Sequence, residues 1–311
     1  MGFFEFFKKQ VVNSEKQIDI DTKDIYSSFD DLPEVAELES GSEAEDKSNA
    51  PALFTAKLLF YEVPVVDLQI LKDEVARKYA GCVIDFSDNV LTCRLTDKTG
   101  TETTDQSLTC CLAASKDMLK QPLPDEAFKQ NWHWKDGAAI AKNCRYELLV
   151  VEKKLNIEAG YKVRTETFLD FLTACIKSSN PAVVYSRNGE KLLDPRDVLA
   201  CHTAVEPDLL HPMTNIRMFK VCDSTTNEII MDTIGLNTLG LPDFEILFDH
   251  QNPAKIAELL LRYCYFIYDI GDNVLHGEYL EGLNPDEKWK CEKRISLLPP
   301  LRVVLHVLAQ K

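Results

Sequence analysis

The 311-residue chain contains ten cysteines and six histidines, and none of them stands at a recognised metal-binding spacing. There is no Cys-x-x-Cys and no His-x-x-x-His, and no histidine accompanies a cysteine at zinc-finger spacing. No metal site and no cofactor are therefore expected. A Gly-x-Ser-x-Gly elbow is also missing, so the sequence names no catalytic residue. A basic surplus is lacking: 35 Lys and Arg face 50 Asp and Glu, a formal charge of −15. That leaves no footprint for a phosphate backbone, and no nucleic-acid partner is expected. Apolar runs are too short to span a bilayer. The start "MGFFEFFKKQ" has too short an apolar run for a secretory signal, with its lysines on the wrong side. These absences predict a cytoplasmic protein whose thiols are reduced. Cys93, Cys175, Cys222 and Cys264 lie in apolar runs, and Cys110 adjoins Cys111, so they read as small buried hydrophobes.

What is present is an ordinary globular composition, 45% hydrophobic and 27% charged, at a length that suits two domains. Residues 1–50 carry thirteen acids against five lysines, a net of −8. Within them Phe3, Phe4, Phe6 and Phe7 stand beside Lys8 and Lys9, a short docking or interfacial segment too small for stable membrane insertion. The acidic, Ser-rich stretch that follows has too few apolar residues to offset its ordering entropy and reads as a disordered linker. Order is expected from about Leu53. Residues 51–190 alternate strands and helices: "LFTAKLLFYEV", then Leu68, Leu71, Val75 and Tyr79 at helical spacing. Two strands flank Ser87-Asp88-Asn89, and a helix carrying Phe168, Leu172 and Cys175 stops at Asn180-Pro181. This order resembles a split β-α-β arrangement. Residues 191–213 read as a connecting segment with a short helix near Pro195. Residues 214–311 form a second block of two strands, a third in "DFEILFD", a helix and further strands. In that helix Asn252 is the cap, Pro253 the first residue and Gly271 the stop. The fold class is thus α+β: two domains, each a sheet with helices packed on one face, after a disordered acidic tail.

The densest cluster of candidate residues is "MDTIGLNTLGLPDFEILFDH", 231–250. Strand alternation sends Phe244, Ile246 and Phe248 one way and Asp243, Glu245 and Asp249 the other. Carboxylates two apart on a strand are roughly 6.5–7 Å apart, suited to acid/base work, to a hard cation, or simply to a solvated outer face. Gly235 and Gly240 have the spacing of a phosphate loop, yet Leu241 and Pro242 stand where Lys and Ser or Thr belong. Asp232-Thr233-Ile234-Gly235 likewise falls short of an aspartic-protease motif. Gly235, Gly240 and Pro242 are better read as a backbone corner. Trp132 and Trp134 bracket His133 in a patch able to stack a ring or to close one end of a core. His306 in "VVLHVL" reads as a core histidine with one partner.

Residues 214–308 resemble the bacterial domain-of-unknown-function family numbered 4261. Thr233, Gly235, Gly240, Pro242, Asp243 and Glu245, the capped helix and "YDIGDNVLHGEYLEG" carry the resemblance. It implies no activity and transfers no functional residue. The Phe-rich start and acidic spacer are similar to those of bacterial cytosolic proteins kept near secreted-toxin genes. Two functions compete. One is a non-enzymatic interaction protein, immunity-type or accessory to a toxin or secretion system, that presents an acidic face (Asp232, Thr233, Asp243, Glu245, with Trp132 and Trp134) to a protein partner. The other is an enzyme with Asp232, Asp243, Glu245 and His276 converging in a cleft. The sequence leaves the oligomeric state open.

Overall fold

The computed structural model describes residues 34–35, 42, 44, 47–87, 90–95, 108–114, 122–221 and 228–309. The Phe-rich start, Asp88 and Asn89, Cys222 and most of the acidic linker lie outside the described residues.

Local signals set the helices. Asp67 accepts hydrogen bonds from the Gln69 and Ile70 amides and starts α1 (Leu68–Lys78), whose last turn carries Arg77 and Lys78. This helix buries Leu71 and Val75, whereas Leu68, expected inward, is 45% exposed. The short helices α2 (Asp125–Lys129) and α3 (Gly137–Asn143) follow. Helix α4 (Gly160–Ser179) ends at Asn180 in the left-handed conformation, φ 49°. Asp194 caps α5 (Pro195–Thr203). Helix α6 (Pro253–Ile270) has the expected signals: Asn252 accepts from Ala254 and Lys255, Pro253 opens it and Gly271 stops it.

The first sheet joins β2 (Thr55–Phe60), β3 (Val83–Ser87), β4 (Val90–Leu95), β5 (Leu108–Ala114), β6 (Tyr146–Glu152), β7 (Val183–Ser186) and β8 (Lys191–Leu193) in the order β3-β4-β5-β6-β2-β7-β8. Strands β6 and β7 both run antiparallel to the β2 lying between them and are linked by α4, which is the split β-α-β unit. Strand β8 continues this sheet beyond residue 190, within the stretch that reads as a connector. Leu58 packs toward α4 beside Phe168, while Leu59 packs on the other face with Ala127 of α2 and Ala141 of α3.

The second sheet has the order β1-β9-β10-β11-β14-β13-β12, using β1 (Glu34–Val35), β9 (Asn215–Val221), β10 (Ile229–Ile234), β11 (Asp243–Phe248), β12 (Tyr279–Glu281), β13 (Lys288–Ile295) and β14 (Val303–Leu308). Helix α6 covers one face: Phe244 meets Tyr263 with ring centroids 5.2 Å apart, and Ile256, Leu260 and Ile267 are buried beside them. Each such side chain contributes about 1.5–3 kcal/mol by leaving water. One buried apolar cluster runs through both blocks, from Phe54, Leu58 and Phe168 to Phe244, Leu260 and Ile267.

Packing begins before Leu53. The Ile295 amide donates to Ser42 O, and the Ala44 amide to Lys293 O. The Asn49 side chain donates to Leu241 O and Val303 O and accepts from the Val303 amide, standing in for a strand neighbour. No helix among the described residues is long and apolar enough to cross a membrane.

Candidate functional site

Strand register builds a charged row across the second sheet. Arg217 lies opposite Asp232, Asp232 opposite Glu245, Glu245 opposite His306, and His306 opposite Glu292. Period-two alternation puts the row on the face away from Phe244 and α6. Asp232, Asp243 and Glu245 are each 0% exposed. The outer, solvated face read from their alternation is therefore corrected. The segment 296–302 crosses over them, and its Leu297 and Leu298 pack on Phe219 and Ile230 of the same face.

Buried carboxylates require cationic or amide partners, because an unpaired charge in the interior is costly. Arg302 supplies most of them. Its Nε donates to Asp243 at 3.0 Å, and its Nη2 to Asp232 at 2.6 Å and to Thr233 O at 2.7 Å. Its Nη1 donates to the carbonyls of Leu298 and Pro300, so all five N–H groups find acceptors. Arg217 forks onto Asp232 through Nε at 3.0 Å and Nη2 at 2.5 Å, and also reaches Pro299 O and Glu190. Glu245 accepts from the Leu297 amide at 2.8 Å and lies 3.0 Å from His306 Nδ1. Burial raises the Asp243 pKa, opposed by the Arg302 charge. Burial works to lower the pKa values of Arg217 and Arg302, and the Asp232 carboxylate outweighs it, so both are raised. The three carboxylates thus clamp the 296–302 segment onto the sheet.

The glycine corner is a turn whose amides are already engaged. Gly235 has φ 127°, and a Cβ there would sit 2.1 Å from Met213 O; Gly240 has φ 84°. Between them Leu236–Leu239 makes one 3₁₀ turn, followed by Leu241 and Pro242. The Leu236 and Asn237 amides donate to Asp243, as does Thr233 Oγ1, while Thr233 Oγ1 accepts from the Phe244 amide. Amides that would hold a phosphate are spent on a carboxylate.

The tryptophan patch is also tied inward. Trp132 Nε1 donates to Gln130 Oε1 at 2.9 Å. Gln130 in turn exchanges two 2.9 Å bonds with the backbone of Met218 in β9. Trp134 packs with the α2 and α3 cluster, and His133 Nε2 lies 2.6 Å from Leu192 O.

A titratable cluster with access to solvent lies elsewhere, between α1, α4 and α5, at residues that form no sequence motif. Asp170 accepts from Lys78 Nζ at 2.6 Å and Tyr79 OH at 2.6 Å, and His202 Nε2 lies 2.5 Å from it. These groups line a pocket of ≈ 320 Å³ with Glu74, Arg77, Thr173 and Lys177. Burial works to raise the Asp170 pKa, but the bonds from His202, Lys78 and Tyr79 prevail and lower it. An imidazole held by a carboxylate is half of a nucleophile-activating set. The hydroxyls of Thr173 and Thr203 donate to backbone carbonyls instead, at Asp170 and Leu199.

Among the described residues, seven cysteines are buried and Cys82 and Cys201 are half-buried; none of these nine is in a disulfide. Donor atoms of Cys201, Asp208 and His211 lie within 4.8 Å of one another, so a metal-capable group exists where spacing predicted none.

Searches of curated proteins and of solved structures found no match to the chain. Residues 232–308, the C-terminal region from Asp232 in β10 to the end of β14, match the family described as Domain of unknown function (DUF4261).

Proposed function

We infer that the chain is a non-enzymatic protein-interaction protein of the bacterial cytosol, immunity-type or accessory to a toxin or secretion system. Its contact face is not the carboxylate row, which is sealed, but the segment between β2 and the first turn of α1. The observation that carries this reading is an exposed apolar run within an acidic chain. Tyr61 is 50% exposed, Val63 67%, Val65 80%, Leu68 45% and Ile70 41%. Single exposed apolar residues are ordinary, whereas five within ten residues make a patch of the kind that marks contact surfaces. Residues 61–73 carry Glu62, Asp67 and Asp73 against Lys72 alone. Charge complementarity therefore favours a partner protein whose contact surface is apolar at its centre and basic at its rim.

Affinity capture from host lysate tests it with three chains: wild type, Val63→Asp with Val65→Asp, and His202→Ala. A stoichiometric partner retained by wild type and His202→Ala, and lost from the double variant, is the expected result. Equal capture by the double variant would move the contact elsewhere.

The second reading, an enzyme, rests on the Asp170–His202 pair in its pocket. It predicts that His202→Ala abolishes a turnover that Val63→Asp with Val65→Asp leaves intact.

A further inference from the structure

The donor set behind α5 has the chemistry of a metal centre. Cys201 lies in the last turn of α5, and Asp208 and His211 follow on the loop leading toward β9. Thiolate, carboxylate and imidazole are the three ligand types that zinc takes in tetrahedral sites. Ligand atoms in such sites are about 3.3–3.8 Å apart, so closure from 4.8 Å or less needs shifts of roughly 1 Å or less.

Two independent features prepare the group. First, Asp208 is already oriented: Oδ1 accepts from the Leu210 amide at 3.2 Å, the His211 amide at 3.0 Å and Tyr265 OH at 2.8 Å. Those bonds all fall on one oxygen and leave Oδ2 outside them, the outer-shell arrangement that fixes a ligating carboxylate. Second, His211 Nε2 is a buried ring nitrogen without a hydrogen-bond partner. A buried polar atom left unbonded is unfavourable, and a metal at that nitrogen would give it a partner. Lys191 in β8 donates to His211 O at 2.8 Å and Thr214 O at 3.2 Å, which fixes the backbone that carries His211.

We propose that Cys201, Asp208 and His211 form a zinc site, with water in the fourth position, that fastens the 204–211 loop to α5 and, through Tyr265, to α6. On binding, the Cys201 thiol releases its proton to solvent and the thiolate forms the Zn–S bond. No oxidation occurs. The inference is independent of the contact face at residues 61–70.

The test uses the full chain, stripped with chelator and reloaded with one equivalent of Zn²⁺ or Co²⁺. In the wild type, Zn²⁺ is expected to slow alkylation of Cys201 at least ten-fold and to leave Cys82, the other half-buried thiol among the described residues, unchanged. Co²⁺ is expected to give a thiolate charge-transfer band that is absent from Cys201→Ser and displaced by Zn²⁺. Asp208→Asn and His211→Gln should each weaken Zn²⁺ retention on the order of a hundred-fold, with circular dichroism confirming the fold. Alkylation of Cys201 that ignores Zn²⁺, or a cobalt band that survives in Cys201→Ser, would overturn the site. Both wild-type readouts decide the matter even if a variant fails to fold.

Discussion

Arg302 Nη2 and Asp232 Oδ2 lie 2.6 Å apart across a sequence separation of 70 residues, and neither residue's side chain is more than 2% exposed. This pair binds the segment after β13 back to β10, and through Asp243 it also fixes the 3₁₀ corner between β10 and β11. Arg302→Met should therefore leave two carboxylates buried with too few donors, costing about 3–5 kcal/mol of unfolding free energy. Arg302→Lys should recover only part of the loss, because an ammonium cannot fork to both carboxylates. Urea denaturation of the three proteins measures this. A loss below about 1 kcal/mol in Arg302→Met would mean that the pairing is not what holds the segment.

Gly235 and Gly160 both have positive φ, at 127° and 72°, yet only Gly235 meets backbone where a Cβ would go. Gly160→Ala should cost about 1 kcal/mol from backbone conformation alone. Gly235→Ala should cost at least 2 kcal/mol more, on the order of a severe core substitution, because Met213 O must move. Paired thermal melts of the two variants provide the comparison, and equal shifts would contradict the close approach at the corner.

Gln130, 1% exposed, makes the two bonds that a neighbouring strand would otherwise give to Met218. Gln130→Leu keeps the volume and strands a backbone N–H and C=O, at about 1–3 kcal/mol for each group left unbonded. Hydrogen exchange at the Met218 amide is the specific readout: it should accelerate in the variant more than the amides of β11 do.

Acid should weaken the protein through Asp170. Its folded-state pKa is lowered by His202, Lys78 and Tyr79 against the opposing effect of burial. The stability it contributes is therefore present above the unfolded value, about 3.9, and is lost as pH falls through the lower folded value. Asp243, raised by burial, acts in the opposite sense. Asp170→Asn should cost about 1–3 kcal/mol at pH 7, a difference that shrinks as pH falls below about 4. A difference that stays constant from pH 7 to pH 3 would show that the Asp170 charge is not coupled to folding.

Legibility in the sequence followed the range of the interactions. Helix α6 was readable because Asn252, Pro253 and Gly271 act within one turn of its ends. The hairpin of β9 and β10 and the split unit around α4 were readable from period and order. Strand β13 escaped because lysines, an arginine and a glutamate surround its buried Trp289 and Cys291, masking the alternation. The corner at Gly235 and Gly240 was legible from composition, but the burial of Asp232, Asp243 and Glu245 was not. Alternation assigns residues to faces and cannot say whether a face is covered. The cover is a loop, and its anchoring arginine lies 59 residues from Asp243. The Asp170 pocket stayed hidden for a similar reason: His202 meets Asp170 from 32 residues away, on a separate helix.

The division between sealed carboxylates and an exposed contact face is tested most directly by carboxyl footprinting, with a carbodiimide and an amine label, on the native chain alone and with its captured partner. Glu62 and Asp73, both exposed, should react in the free chain and be protected by the partner. Asp232, Asp243 and Glu245 should stay unlabelled in both states. Native-state labelling of Asp243 or Glu245 that the partner suppresses would contradict the division and return the carboxylate row to the centre of function.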